Sequence, residues 1–325
     1  MARKTSSLEA QLDRLADLRA QPSTPEGRAE IGRCLGSKMN LVVAKAARIA
    51  GEWEAAELTA QLVSAFDRFL VNGAAADKRC AAKIEILKAL NKMEHAYPAV
   101  YPAGIGYVQM EASWGEAVDT AAEVRALSAM GLAQTDYRGA LEEIVPLLVD
   151  PERDARIGAV RAIGSSGLPG DTLLLRLKAL SGDAPEVVGE CCAALLRAEP
   201  EKSIGFVGQF LERPEESVAE AAALALGESR LENVFEVLRK AYQGHHSRSL
   251  GRALLVALAL LRRESAIDYL LDLARNGTEQ DSADACAALT LYEQDPQLRA
   301  RLARARDARN LVSGGSAEGL TEQDC

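Results

Sequence analysis

The side chains best suited to metal, redox or nucleophilic chemistry in this 325-residue chain are six cysteines, at 34, 80, 191, 192, 286 and 325, and three histidines, at 95, 245 and 246. Two pairs are adjacent, Cys191 with Cys192 and His245 with His246. Zinc sites space their ligands two to four residues apart so that two can point at one ion. No CxxC occurs and no His lies close to a Cys in sequence. The cysteines therefore read as small core residues of a protein kept reduced, and His245-His246, in the turn QGHHSRS, as a solvated turn. None of the histidines has the Ser, Cys or carboxylate surroundings that nucleophilic catalysis needs, so no catalytic, cofactor-binding or metal residue is assigned.

Contact chemistry is the better-supported kind. The segment AYPAVYPAGIGYVQMEASWGEA (96–117) gathers Tyr97, Tyr101, Tyr107 and Trp114 in a chain with only 7 Tyr, 5 Phe and 2 Trp. Its Tyr-Pro steps predict extended backbone, and 105–110 predicts a short strand. Tyr and Trp carry much of the energy of protein interfaces; the competing reading packs these rings over a junction in the fold. A second candidate set, Arg176, Lys178, Arg239, Lys240 and Arg275, alternates with acidic residues on helices that could line a binding face; an ordinary solvated helix face has the same pattern. The arginines 299, 301, 304, 306 and 309 interleave with Leu298, Leu302, Ala305 and Ala308 as in an amphipathic capping helix.

The elements that position these residues follow from a repeat. The signature apolar-x-x-x-small-apolar-x-Ala-Leu-Gly recurs eight times, anchored at Gly51, Asn91, Gly131, Gly164, Arg197, Gly227, Ala259 and Thr290, with spacings of 40, 40, 33, 33, 30, 32 and 31. Two residues before the anchor stands Ala in six units, and next to it a large apolar residue such as Leu90, Ile163, Leu226 or Leu258. Positions three or four apart share a helix face. Each unit thus presents a small-residue stripe that lets a neighbouring helix approach closely, with a branched residue filling the groove beside it. A second apolar-periodic segment follows in turn (137–148, 171–180, 202–211, 231–242, 265–274 and 295–308), which predicts a helical hairpin per unit. Ser6-x-x-Glu9 has the form of a capping box, Thr24-Pro25-Glu26 opens a second helix, and Asp150-Pro151 and Pro214-Glu215-Glu216 mark further helix starts, with Gly51, Gly131, Gly164 and Gly227 at helix ends.

The segments VDPERDARIGAVRAIGSSG (149–167) and PEESVAEAAALALGES (214–229) resemble HEAT repeats, in particular the short repeats of phycobilisome lyase-like proteins. The resemblance covers roughly 37–309. It implies an all-α fold, an α-solenoid of stacked helical hairpins whose second helices line a concave face, and a scaffold that binds a protein or peptide along that face. The expected organisation is capping helices over 1–36, longer irregular repeats over 37–95, the aromatic insert over 96–117, regular repeats over 118–311 and a flexible acidic tail over 312–325.

Composition agrees. With 48% apolar residues the chain can bury a core, and its net charge of -9 is spread over both halves, which disfavours a nucleic-acid binder. The longest apolar run, LLVALALL (254–261), is far short of the ~18–20 residues that span a bilayer, and MARKTSSLEAQL lacks the apolar core of a signal peptide. The expectation is a cytoplasmic, non-enzymatic protein-binding scaffold without cofactor. The alternatives are a bilin lyase-like enzyme and a damaged-DNA reader of the HEAT-like kind.

Overall fold

The computed structural model describes residues 2–21, 23–93, 99–244 and 247–315. It is all-α apart from one small β-hairpin, and the chain divides into two compact units, Met1–Leu174 and Leu175–Cys325. Its elements in chain order are α1 (Ala2–Arg19), α2 (Pro25–Leu35), α3 (Asn40–Glu52), α4 (Thr59–Ala76), α5 (Ala81–Lys92) and α6 (Val100–Ile105). There follow β1 (Met110–Glu111), β2 (Val118–Asp119), α7 (Ala122–Ala133), α8 (Ala140–Ile144), α9 (Arg153–Ser166), α10 (Asp171–Ser181) and α11 (Pro185–Ala198). The last are α12 (Pro200–Gly208), α13 (Glu216–Ser229), α14 (Val234–Gly244), α15 (Arg248–Leu260), α16 (Glu264–Asn276), α17 (Glu279–Ala288) and α18 (Pro296–Gly315). Short 3-10 turns extend α8 and α12.

All eight signatures form helices: α3, α5, α7, α9, α11, α13, α15 and α17. In the first unit α3 packs on α5, α5 on α7 and α7 on α9; in the second α11 packs on α13, α13 on α15 and α15 on α17. The fold is an α-solenoid of helical hairpins. The small-residue stripe works as its spacing implies. A Cβ added at Gly158 would stand 2.5 Å from the Cα of Ala126 on the previous signature helix, and one at Gly227 would stand 2.7 Å from the Cα of Ala257 on the next. The large residues beside the stripe, Leu90, Ile163, Leu226 and Leu258, are buried. At the rim, ion pairs join neighbouring signature helices: Arg48 to Glu85 (2.8 Å), Lys88 to Glu123 (2.8 Å) and Arg252 to Asp284 (2.9 Å).

Several punctuation marks fall differently. Gly51, Gly131, Gly164 and Gly227 lie inside their helices rather than capping them; the left-handed residue that ends α9 is Gly167 (φ 62). At Gly227 close approach, not termination, is what the missing side chain serves. Ser6 lies inside α1 (Ala2–Arg19) rather than ahead of its first turn. Asp150-Pro151 precedes α9 by two residues; the Asp150 carboxylate accepts from the Glu152 amide (2.8 Å) as well as from Arg125. Thr24 does cap α2, accepting from the Gly27 amide at 3.1 Å. Tyr101-Pro102 is helical, not extended: Pro102 sits in the first turn of α6, where a missing amide hydrogen costs nothing. The strand expected at 105–110 begins only at Met110.

Candidate functional site

The irregular region of the first unit is built around a strained turn. Gly73 (φ 47, ψ -135) kinks α4, and between α4 and α5 two non-glycine residues in succession, Arg79 (φ 57) and Cys80 (φ 54), adopt the left-handed conformation. That costs roughly 1–2 kcal/mol per residue, so it persists only where the surroundings over-determine it. Asp77 supplies much of the restraint. Wholly buried, its carboxylate accepts from the amides of Ala82 (2.9 Å) and Lys83 (3.1 Å) at the start of α5 and from Asn40 Nδ2 (3.1 Å), and it pairs with Lys83 Nζ at 3.0 Å. Lys83 is equally buried; its ammonium also reaches the Phe69 carbonyl (3.4 Å) and lies 5.1 Å from the centre of the Tyr107 ring.

The hairpin β1–β2 lies against this turn, pairing Met110 with Asp119 and Glu111 with Val118. Its inward side chains are polar. Gln109, buried, donates through Nε2 to the Asp77 carbonyl (2.9 Å) and to Glu111 Oε1 (2.7 Å), while its Oε1 accepts from the Tyr107 hydroxyl (2.6 Å). Glu111 Oε1 also accepts from Thr120 Oγ1 (2.8 Å) and from the amide of the left-handed Arg79 (2.5 Å). Burial pushes the Glu111 carboxyl up, but the hydrogen bonds from Gln109, Thr120 and Arg79 and the charge of Lys78 outweigh it, holding the group below its ordinary value. Arg125, buried on α7, grips Asp150 through Nε and Nη2 (2.8 Å each) and reaches Asp119 (2.7 Å) and the Tyr107 carbonyl (2.9 Å) through Nη1. Burial raises the Asp119 carboxyl too, and the amides of Ala121 and Gln109 with Arg125 bring it below its usual range. Cys80, buried here, has its thiol pushed up to about 11 by desolvation and is no nucleophile at neutral pH.

On β1 the strand period of two sets Val108 and Met110 on the face opposite Gln109 and Glu111, and they are 58% and 55% exposed. Val118, which pairs with Glu111 and so shares its face, is 49% exposed, and Trp114, in the 112–117 loop, is fully exposed. Apolar side chains standing in water beside a fully bonded polar floor reverse the usual pattern of a half-buried strand.

The residues singled out from the sequence are scattered. Tyr97 lies outside the described residues, as do His95, His245, His246 and Cys325. Tyr101 is buried on α6 against Gly131, where an added side chain would collide with the ring. Tyr107 belongs to the polar floor. Arg176 stacks on Phe206 (4.6 Å) and donates to the Lys202 carbonyl (3.0 Å). Lys178 is paired with Asp183 at 2.6 Å, nearly buried, and Arg239 is paired with Glu236 at 2.7 Å. Lys240 borders an open groove between α12 and α14, and Arg275 borders another between α16 and α18. Of the α18 arginines, Arg301 pairs with Glu264 and Asp268, and Arg309 donates to the Gly277 carbonyl (2.7 Å), which ties the helix to the preceding hairpin. Cys191 and Cys192 are wholly buried in α11 with both thiols pushed up by desolvation, Cys192 to about 12. Among the described residues no three His, Cys, Asp or Glu come together as metal ligands would, and no helix is long and apolar enough to cross a membrane. The buried pair Asp77–Lys83 and the exposed pair Val108 and Met110 were missed; the signal for the latter is the alternation Val-Gln-Met-Glu over 108–111.

Residues 204–290, from α12 through α17, match the family model for HEAT repeats, which bears out the resemblance read from the repeat signatures. No curated protein matches the chain. Among solved structures the chain is similar to human deoxyhypusine hydroxylase in complex with glycerol, at 18% identity and a TM-score of 0.32, over 79% of this chain and 91% of that one. It is also similar to the complex of CpcE and CpcF of phycocyanin lyase from Nostoc sp. PCC7120, at 16% identity and a TM-score of 0.35, over 89% of this chain and 96% of that one.

Proposed function

We propose that this protein is a non-enzymatic scaffold that binds a polypeptide partner, and that the exposed apolar residues of the β1–β2 hairpin are a principal contact. The observation that carries this is the reversed hairpin: Gln109 and Glu111 are buried in a bonded floor while Val108, Met110, Val118 and Trp114 face water. Exposed apolar groups grouped on a rigid platform are what an interface leaves when its partner is away, and an aromatic anchor at the tip suits a binding hot spot. The helical repeats supply the rigid support on which such a surface is displayed. Lys240 and Arg275, at the edges of open grooves, are the members of the second-helix set left best placed to add contacts there.

A photo-crosslinking residue placed at 114 or at 118 in the full chain, irradiated in lysate of its source cells, is expected to give a discrete adduct with a protein. The same residue at the exposed helical position Glu142 is the control. Adducts of equal yield at all three positions, or none at 114 and 118, would overturn the reading.

A further inference from the structure

Besides the groove bordered by Arg275, the end of the second unit holds a cavity of about 290 Å³ between α16, the short 3-10 turn after α17 (Leu289–Tyr292) and α18. Its wall is mostly apolar and includes Leu271, Leu289, Leu298 and Leu302. The hydroxyls in the wall are already engaged: Thr290 Oγ1 donates to the Ala287 carbonyl (2.7 Å) and Tyr292 to the Ala259 carbonyl. Three charged residues complete the lining, Arg299, Arg306 and Glu293, and all are exposed, so they stand where the cavity meets water. Positions 299, 303 and 306 share one face of α18. The residue between the two arginines is Ala303, whose small side chain leaves the opening clear. Neither guanidinium meets a carboxylate within ion-pair distance among the described residues, whereas Arg301 on the same helix pairs with Glu264 and Asp268. Arg306 is steadied through Nε, which donates to Cys286 Sγ at 3.4 Å and leaves its terminal nitrogens for a ligand.

We infer that this cavity is a small-molecule site for an aliphatic carboxylate of medium chain length, which sets its hydrocarbon body against the leucines and its carboxylate between Arg299 and Arg306. Size and lining both bear on that class. Small-molecule sites run from about 300 to 1,000 Å³, are walled mainly by apolar side chains and orient their ligand with a few polar groups. A cavity at the low end of that range takes a single short chain rather than a two-tailed lipid. With two guanidiniums against one carboxylate the rim is net positive, in a chain whose overall charge is -9. A guanidinium presents a fork of N–H donors that matches a carboxylate, and beside an apolar wall such a bond is stronger than in bulk water. A cationic ligand would meet the two arginines as like charges, and a neutral alcohol would leave them unused. The site is independent of the hairpin surface and gives the scaffold a ligand rather than a second protein contact.

The test is isothermal titration calorimetry of the full chain at ~150 mM salt with three probes that share one body, octanoate, 1-octanol and octylammonium. Octanoate is expected to bind at one site per chain and about tenfold more tightly than octanol, the size of effect that hydrogen bonds to a charged group give. Octylammonium is expected not to bind. Arg299→Gln with Arg306→Gln is expected to remove the preference for octanoate over octanol. Ala303→Trp, a change at an exposed helical position, is expected to fill the opening and abolish binding of both probes without a fall in melting temperature. Equal binding of octanoate and octanol, a preference that survives the double arginine substitution, binding that survives Ala303→Trp, or no binding of octanoate would each overturn the inference. Displacement of octanoate by an acetylated tripeptide ending in leucine, at a lower concentration than octanoate itself needs, would overturn it in favour of a polypeptide C-terminus.

Discussion

The hairpin of the first unit and the repeat helices of the second bury opposite kinds of side chain. In α11, α13 and α15 the inward positions are Ala, Leu, Val, Gly and Cys, and ions such as Arg252 and Asp284 stay at the rim. On β1 the buried positions are Gln109 and Glu111, and the apolar Val108 and Met110 that alternate with them are exposed. The repeats gain stability by removing apolar area from water, a non-directional effect that tolerates small shifts. The hairpin is held by hydrogen bonds and ion pairs, which are directional and costly to leave half made. That difference gives a rigid support of graded stability in one region and an all-or-nothing latch in the other.

The sharpest way to break the latch is to remove one partner of its buried ion pair. Lys83→Met leaves the Asp77 carboxylate buried with its amide and Asn40 partners only, and should cost about 3–5 kcal/mol in urea denaturation. The loss should appear as earlier proteolysis near the hairpin, with α11–α17 still protected in hydrogen exchange. A smaller loss comes from breaking the repeats. Gly227→Ala sets a methyl group against the backbone of Ala257 and should cost about 1–3 kcal/mol. Here the change in exchange should centre on α13 and α15 and spare the hairpin.

Acid should separate the two regions further. Glu111 and Asp119 both have folded values below their ordinary 4.5 and 3.8. Their stabilising contribution is therefore fully present above about pH 4.5–5 and is lost as pH falls through the folded values, since the unfolded chain takes up protons first. Urea midpoints for the first unit should hold from pH 7 to about 5 and fall below that, and Glu111→Gln should flatten part of the fall. The smallest stability effect belongs to the outer face. Trp114→Ala should change stability by less than about 0.5 kcal/mol, as for surface positions generally, while weakening crosslinking from position 118. A large melting loss in that variant would mean that Trp114 packs, and would end the comparison.

The helical framework was legible because helix pairs bury a stripe whose period is written in the chain. Ala89, Ala129, Ala162, Leu226 and Leu258 fall where the repeat puts them and are buried there. Helix ends were less so: an isolated glycine reads equally as a cap or as a point of close approach, and only a neighbouring backbone, such as Ala257 at Gly227, tells them apart. The aromatic insert was visible as an interruption, yet its described rings, Tyr101, Tyr107 and Trp114, divide among core, floor and surface.

What the sequence by itself determined is the class of the fold, the order of the helices and the faces they bury, because apolar periodicity acts along a single helix. Which face of the hairpin points inward was decided only in three dimensions. The alternation of Val108, Gln109, Met110 and Glu111 has the same period whichever set is buried. The choice falls to Asp77, Lys83, Arg79 and Arg125, whose donors, acceptors and charges await polar partners from beyond their own helices, where a one-dimensional pattern carries no record of them.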